Sequence, residues 1–208
     1  MTQWGSAQAI FQSTYRELIK VPGSSKQLAH ALSSQQTVSE AADLLARHEK
    51  ADVHVITPWE SAYPERLKHI YDAPTLLYHR GNTAFNQAKV IGIVGTRKAT
   101  SYGKRVVETL LKELSAYPLL VVSGLAYGID IHAHQMALAL GLPTLAVIAG
   151  GVDRIYPAVH SKTAQAMLAQ GGILSEHPNG TAPEAYQFVA RNRIIAGLAD
   201  ATIVIEAG

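Results

Sequence analysis

The sequence predicts an α/β protein: a parallel sheet with helices packed on it, preceded by a small helical domain. Three observations carry this. From residue 86 onward, short β-branched apolar runs alternate with amphipathic helical stretches. Each run ends in a turn rich in glycine or serine. Residues 1–85 lack that alternation and read mostly as short helices. Strands and helices alternating at this spacing mean right-handed parallel βαβ units.

The second part opens on Lys89-Val-Ile-Gly-Ile-Val-Gly-Thr-Arg97. Val90, Ile91, Ile93 and Val94 make a strand buried on both faces. Gly95-Thr96-Arg97 ends it, and a helix follows from about Ser101 with Val106, Leu110 and Leu114 along one stripe. A strand turning through glycine into a helix presents free backbone amides and the positive end of the helix dipole, which favours an anion. Arg97 adds a planar cation suited to phosphate.

The pattern then repeats. Leu119–Val122, Thr144–Ile148, Gly172–Ser175 and Thr202–Ile205 are strands; Asp130–Leu140, Ala158–Gln170 and Arg191–Ala199 are helices. In open parallel sheets ligands sit beyond the carboxyl ends of the strands. Arg97, Ser123-Gly124, Gly150-Gly151 and Glu206 fall on that rim. The chain stops at Gly208 directly after a strand, as a fragment would.

In the first part, helices are expected around Ala9–Phe11, Tyr15–Ile19, after Ser24-Ser25, and over Val38–His48 with Ala41, Ala42, Leu44 and Leu45 on its apolar side. The turn Val21-Pro22-Gly23 between two of them is compatible with a helix-hairpin-helix, but Ser25 stands where its second glycine would be; a small packing module is the preferred reading. His54–Thr57 is a strand ended by Pro58. The polar, turn-rich stretch Asn82–Gln87 marks the expected boundary, giving domains 1–85 and 86–208.

Composition narrows the function. Charged residues make up 16% of the 208 residues and hydrophobic ones 48%, so the chain can bury a large core. The formal charge is only +2, and residues 1–85 are balanced, with eight Lys/Arg against eight Asp/Glu. The excess lies in 86–208, with ten against eight, so a basic site must be local. The absence of cysteine excludes disulfides, thiolate metal sites and cysteine nucleophiles. No apolar run approaches a membrane span, and Met1–Ser6 has no secretory pattern, so a cytoplasmic location is expected.

Two motifs bear on chemistry. Gly124-x-x-x-Gly128 differs from both the dinucleotide fingerprint and the P-loop. Its glycines make a tight turn before a helix that Asp130 is placed to cap; phosphate contact by their amides stays open. His132 and His134 lie two apart on a helix and do not share a face, so no metal site is expected. In Phe188-x-x-Arg191-Asn192-Arg193, an aromatic ring, an amide and two cations together provide what a single-stranded nucleic acid needs. The alternative is a core phenylalanine with arginines paired to carboxylates such as Glu184. Arg97 on the same rim tilts the balance toward nucleic acid.

Taken in order, several blocks resemble the signature of the DNA-processing protein A (DprA, or Smf) family. They are Gly95-Thr-Arg97 with Ser101-Tyr-Gly103, Ser123-Gly-Leu-Ala-Tyr-Gly-Ile-Asp130 with Ala133-His134, Gly150-Gly151 with Tyr156-Pro157, and Phe188-x-x-Arg191-Asn-Arg-Ile-Ile-Ala-Gly-Leu198. The resemblance implies a Rossmann-like domain behind a sterile-alpha-motif-like one, binding single-stranded DNA without catalysis or cofactor and supporting RecA loading in natural transformation. It further implies that Arg97, with Gly95 and Thr96, holds a DNA phosphate. Ser123, Gly124 and Gly128 would line the pocket, and Phe188, Arg191, Asn192 and Arg193 would complete its wall. Val189 stands where the family commonly has proline. The family's first helices are missing before Trp4, and the block expected after Gly208, part of the family's dimer and RecA surfaces, is absent. RecA recombinase as partner and a homodimer are thus implied by the resemblance alone, and both draw on that absent block. A rival resemblance, to nucleoside-monophosphate phosphoribohydrolases of the lysine-decarboxylase-like type, would need an acid such as Glu206 and a Pro-Gly-Gly-x-Gly-Thr loop, which is not present.

Overall fold

The computed structural model describes residues 6–207, apart from the side chains of residues 35 and 36. Met1 to Gly5, which include Trp4 and most of the N-terminal stretch read for a signal, lie outside that range, as does Gly208. The chain divides into two units, Met1–Ala51 and Asp52–Gly208.

Among the described residues the first unit holds four helices: α1 (Ala7–Gln12), α2 (Tyr15–Leu18), α3 (Lys26–Ser33) and α4 (Gln35–Lys50). Their starts follow from capping chemistry, in which a side-chain oxygen satisfies an amide with no partner inside the helix. Ser6 accepts from the Ala9 amide, Thr14 and Glu17 form a capping box, and Ser25 accepts from the Leu28 amide at 3.0 Å. Gly23, at φ 85°, turns the chain between α2 and α3. The Ser25 hydroxyl thus occupies a donor that a phosphate-binding hairpin would leave open. On α4, Val38 and Leu45 are exposed, so the apolar side expected for this helix is only partly used.

The second unit is a seven-stranded sheet in the order β1-β2-β6-β5-β4-β3-β7. Its strands are β1 (His54–Ile56), β2 (Leu77–Gly81), β3 (Val90–Gly95), β4 (Leu120–Ser123), β5 (Thr144–Val147), β6 (Gly171–Ser175) and β7 (Ala201–Ile205). The last five are parallel, in close agreement with the expected strands. β2 pairs antiparallel with β6, Tyr78 opposite Ser175, and β1 pairs antiparallel with β2. This moves the boundary expected at Asn82–Gln87. Residues 54–56 and 77–81 belong to the sheet, and the compact units part at Ala51 instead.

Helices cover both faces. α5 (Ser101–Leu114) and α6 (Ile129–Ala139) bury Val107, Leu111, Ile129 and Ala133 against Ile93 and Val121. α7 (Ser161–Met167) contributes Ala164 and Met167 beside Ala146 and Ile173. On the other face α8 (Ala185–Leu198) buries Ile194, Ile195 and Leu198 against Val90, Val122 and Leu145, together with Tyr63 and Leu67. Each such side chain contributes roughly 1.5–3 kcal/mol by leaving water. A 3₁₀ turn, Glu65–His69, is tied to the start of β3 by Arg66, which meets Asp200 at 2.7 Å while Asp200 accepts from the Val90 amide.

Two helix boundaries differ from expectation. α8 begins six residues before Arg191, because Glu184 and Gln187 form a capping box that starts the helix at Ala185. The stretch Ala158–Gln170 is a 3₁₀ turn followed by a short α7. Among the described residues no helix is long and apolar enough to cross a membrane.

Candidate functional site

Strand order dictates where a ligand site can form. From β3 the chain steps through β4 and β5 to β6, then returns to place β7 on the opposite side of β3. Where successive connections leave to opposite faces, a crevice opens beyond the strand ends. A cleft of about 740 Å³ lies there. Its floor and one wall come from Val94–Lys98, Thr202, Val204 and Ala207; α8 supplies the facing wall through Phe188, Val189, Arg191, Asn192, Ile195 and Ala196.

Helical spacing decides which α8 residues face it. Phe188, Arg191, Asn192 and Ile195 sit at i, i+3, i+4 and i+7, one stripe of the helix. Arg193 is turned away. Its guanidinium meets Asp72 at 2.7 Å and Glu176 at 2.6 Å. Of the residues expected at the site, the cleft therefore gathers Gly95, Thr96, Arg97, Phe188, Arg191 and Asn192, while Ser123, Gly124, Gly128 and Arg193 lie outside its lining.

The two arginines of the cleft differ in kind. Arg97 is exposed, like Lys98 beside it, and neither has an ion-pair partner among the described residues. Arg191 is 94% buried and works internally. Its Nη1 donates to the carbonyl of Gly124 at 2.7 Å and also to that of Val147, joining α8 to the ends of β4 and β5. The Asp130 carboxylate beside it accepts from the amides of Gly124 at 3.1 Å and Ala126 at 3.4 Å. Asp130 thus lies inside α6 and braces the preceding loop; the cap position is Gly128. Burial raises the Asp130 carboxyl above its usual range, opposed by Arg191 and the amides, and burial lowers the Arg191 guanidinium, opposed by Asp130.

The glycines serve close approach. A Cβ on Gly124 would stand 2.6 Å from Arg191 Nη2 and from Asp130 Oδ2, so its absence makes room for the buried pair. Gly128 has φ 79°, and a Cβ there would lie 2.7 Å from the Arg97 carbonyl carbon. The loop presses directly on the Thr96-Arg97 turn, and the Ile129 amide donates to the Thr96 carbonyl at 3.1 Å. Ser123 is fully buried, donating to the Ile93 carbonyl at 2.6 Å. Gly150-Gly151 is covered by the 178–183 segment, with the Gly151 amide on the Thr181 carbonyl.

The anion expected at the start of α5 is already present as a side chain. Glu206, at φ 54°, accepts from the Thr100 amide at 3.0 Å and from the Thr100 hydroxyl. These bonds hold its carboxyl below the usual range. It therefore caps the helix rather than facing a substrate. The two histidines of α6 also part company: His132 meets Glu108 at 3.1 Å, while His134 is buried against the Thr144 hydroxyl at 2.7 Å.

Fold and cleft define a class, an α/β protein whose switch-point crevice offers two exposed cations, an aromatic ring and an amide. The profile of the DNA recombination-mediator protein A family matches residues 54–208, and the chain belongs to that family. DNA processing protein DprA of Bacillus subtilis is 36% identical over 198 residues, covering 95% of this chain and 65% of that protein. Its counterpart in Streptococcus pneumoniae is 40% identical over 148 residues, 71% of this chain and 52% of that one. The chain thus spans less than two thirds of these relatives. The solved structure of S. pneumoniae DprA superposes with a TM-score of 0.71 at 34% identity, covering 87% of this chain and 66% of that one. DNA processing protein A of Helicobacter pylori superposes at 0.67 and 32% identity, covering 74% and 69%; that structure concerns the single-stranded DNA binding mode of that protein.

Proposed function

We propose that the switch-point cleft binds single-stranded DNA without base preference, and that the chain performs no catalysis. The observation that carries this is the placement of Arg97 and Lys98, without carboxylate partners among the described residues, in one crevice with Phe188 and Asn192. Phosphates need the first pair, and a base needs a flat face and a polar edge. Arg97 with Gly95 and Thr96 takes the phosphate. Phe188 stacks, and Asn192 reaches a base edge. Arg191, Ser123, Gly124 and Gly128 set the shape of the pocket from behind, and Arg193 secures the far side of α8. The H. pylori relative supports the ligand class. Delivery of the strand to RecA recombinase during natural transformation, and a homodimer, are proposed for a protein of the relatives' full length acting in the cytoplasm. The helical unit is proposed as a small sterile-alpha-motif-like packing module.

The phosphoribohydrolase reading loses its acid, because Glu206 is bound to Thr100. Mononucleotide binding uses the same cleft and is separated by experiment. Fluorescence anisotropy of a labelled oligothymidine strand and its duplex, at low and moderate salt, should show tight, salt-sensitive binding to the single strand that is lost in Arg97→Ala. Binding of AMP with no binding of the strand would overturn the reading.

A further inference from the structure

The rim next to the cleft carries a second exposed ring. Tyr156, in the loop after β5, has its ring 5.5 Å from that of Phe188, tilted by 59°, and is 55% exposed. Phe188 lines the cleft and Tyr156 does not, so the pair extends the aromatic surface outward from it. Arg154, in the same loop, is exposed and has no ion-pair partner among the described residues. The nearby acids are engaged: Asp153 accepts from the Gly180 amide at 3.0 Å, and Glu184 caps α8. Cation and ring of the cleft thus adjoin ring and cation of the loop. A flexible polyanion with flat bases matches that arrangement at more than one nucleotide.

The geometry points to an extended strand path. A single-stranded nucleic acid leaving the cleft places its next base on Tyr156 and a backbone phosphate on Arg154, so that Phe188 and Tyr156 form one stacking platform. This rests on the single-strand reading above and adds to it a direction of exit and a longer footprint. A folded, compact ligand such as a mononucleotide would not reach Tyr156.

The test compares labelled thymidine monophosphate, the short ligand, which cannot span two adjacent rings, with an oligothymidine of about twelve nucleotides, the long strand, within the range that single-strand sites span. Anisotropy is read for the wild type, Tyr156→Leu, Tyr156→Phe, Arg154→Gln and Arg97→Ala. Tyr117→Leu serves as a control, since Tyr117 lies under Lys89, just before the amino ends of β4 and β3 and away from the cleft beyond their carboxyl ends. Leucine keeps apolar contact with Phe188 but removes the stacking face. Tyr156→Leu should weaken the long strand about fivefold or more and leave the short ligand within about twofold, with Tyr156→Phe restoring affinity. Arg154→Gln should lower the salt slope for the long strand by about one. If Arg97→Ala abolishes binding to both ligands while Tyr156→Leu and Arg154→Gln change neither, the exit path is wrong and the cleft reading stands. Equal weakening of both ligands by Tyr156→Leu would make Tyr156 a mere support for Phe188 and sink the platform. Failure of the wild type to bind the long strand would overturn both readings. Should Tyr156→Leu not fold, by circular dichroism, the Arg154→Gln slope decides alone.

Discussion

Arg191 donates from inside the fold to the carbonyl of Gly124, 67 residues earlier, at 2.7 Å. A cation at a ligand cleft is thereby used as a cross-brace between α8 and the β4 loop, with Asp130 as its counter-charge. Removing one partner of a buried pair strands the other. Arg191→Met should therefore cost about 3–5 kcal/mol in stability, read by urea unfolding. Arg97→Ala, on the exposed side of the same cleft, should stay within about 0.5 kcal/mol of wild type and lose strand binding. Comparable unfolding free energies for the two variants would contradict this division of labour.

Phe188→Ala should weaken single-strand binding by about 1–3 kcal/mol if the ring stacks on a base. Phe188 is half-buried and faces the cleft, so the variant should remain folded. Collapse of the fold in a thermal melt would instead assign the ring to the core.

Glu206→Gln should lower the melting temperature near neutral pH, because it removes the charge that caps α5. The Glu206 carboxyl is held below its usual range by the Thr100 hydroxyl and amide. That contribution is present above the ordinary glutamate value and is lost as pH falls through the lower, folded-state value. The gap between variant and wild type should close on acidification. A gap that is constant with pH would mean the carboxylate charge is not what caps the helix.

Two histidines set the response to mild acid. Burial lowers His79 to about 4 and His134 to about 3; Arg191 and His160 act on His134 in the same direction. The Thr144 hydroxyl donates to the Val121 carbonyl, so it accepts from His134 Nδ1–H and the imidazole is neutral. Both folded values lie below the ordinary histidine value near 6.5. Stability is therefore complete above about 6.5 and declines as pH falls toward 4, since only the unfolded chain takes up these protons readily. Melting temperatures between about pH 7 and pH 5, above most carboxylate titration, should fall in the wild type and fall less in His134→Met. Equal slopes would remove His134 from the account.

Much of this was legible in the sequence, and the exceptions share a cause. The five parallel strands are covered on both faces, so they appear as continuous apolar runs such as Val90–Val94 and Thr144–Ile148. β2 escaped because its latter half is His79-Arg80-Gly81, polar residues without alternation, and His79 is buried only through tertiary packing beside Phe85. The start of α8 could have been found from Glu184 and Gln187 at capping-box spacing. With Phe188 inside the helix, its i+3, i+4 and i+7 partners would have separated Arg193 from the cleft. The burial of Arg191 had no local signal. It depends on a missing Cβ at Gly124 and a carboxylate at Asp130, both distant along the chain.

Gly128→Ala tests whether the Thr96-Arg97 turn is shaped by the loop beneath it. At φ 79° an L-residue is strained, and the added methyl would run into the Thr96 carbonyl and stand 2.8 Å from the Arg97 Cα. Backbone on both sides leaves nothing flexible to yield. The loop must retreat, taking the Ile129 amide from the Thr96 carbonyl and moving Arg97 relative to Phe188. The variant should lose about 1–3 kcal/mol of stability. In conditions where it is still folded, its affinity for oligothymidine should drop toward that of Arg97→Ala. Gly141 provides the comparison, because it also has positive φ, 71°, but open space around its Cβ. Gly141→Ala should lower stability through strain alone and leave strand affinity unchanged. If Gly128→Ala binds the strand as well as Gly141→Ala does, the turn holds its shape without the loop, and the glycine's place in the Ser123–Asp130 block is only that of a bend.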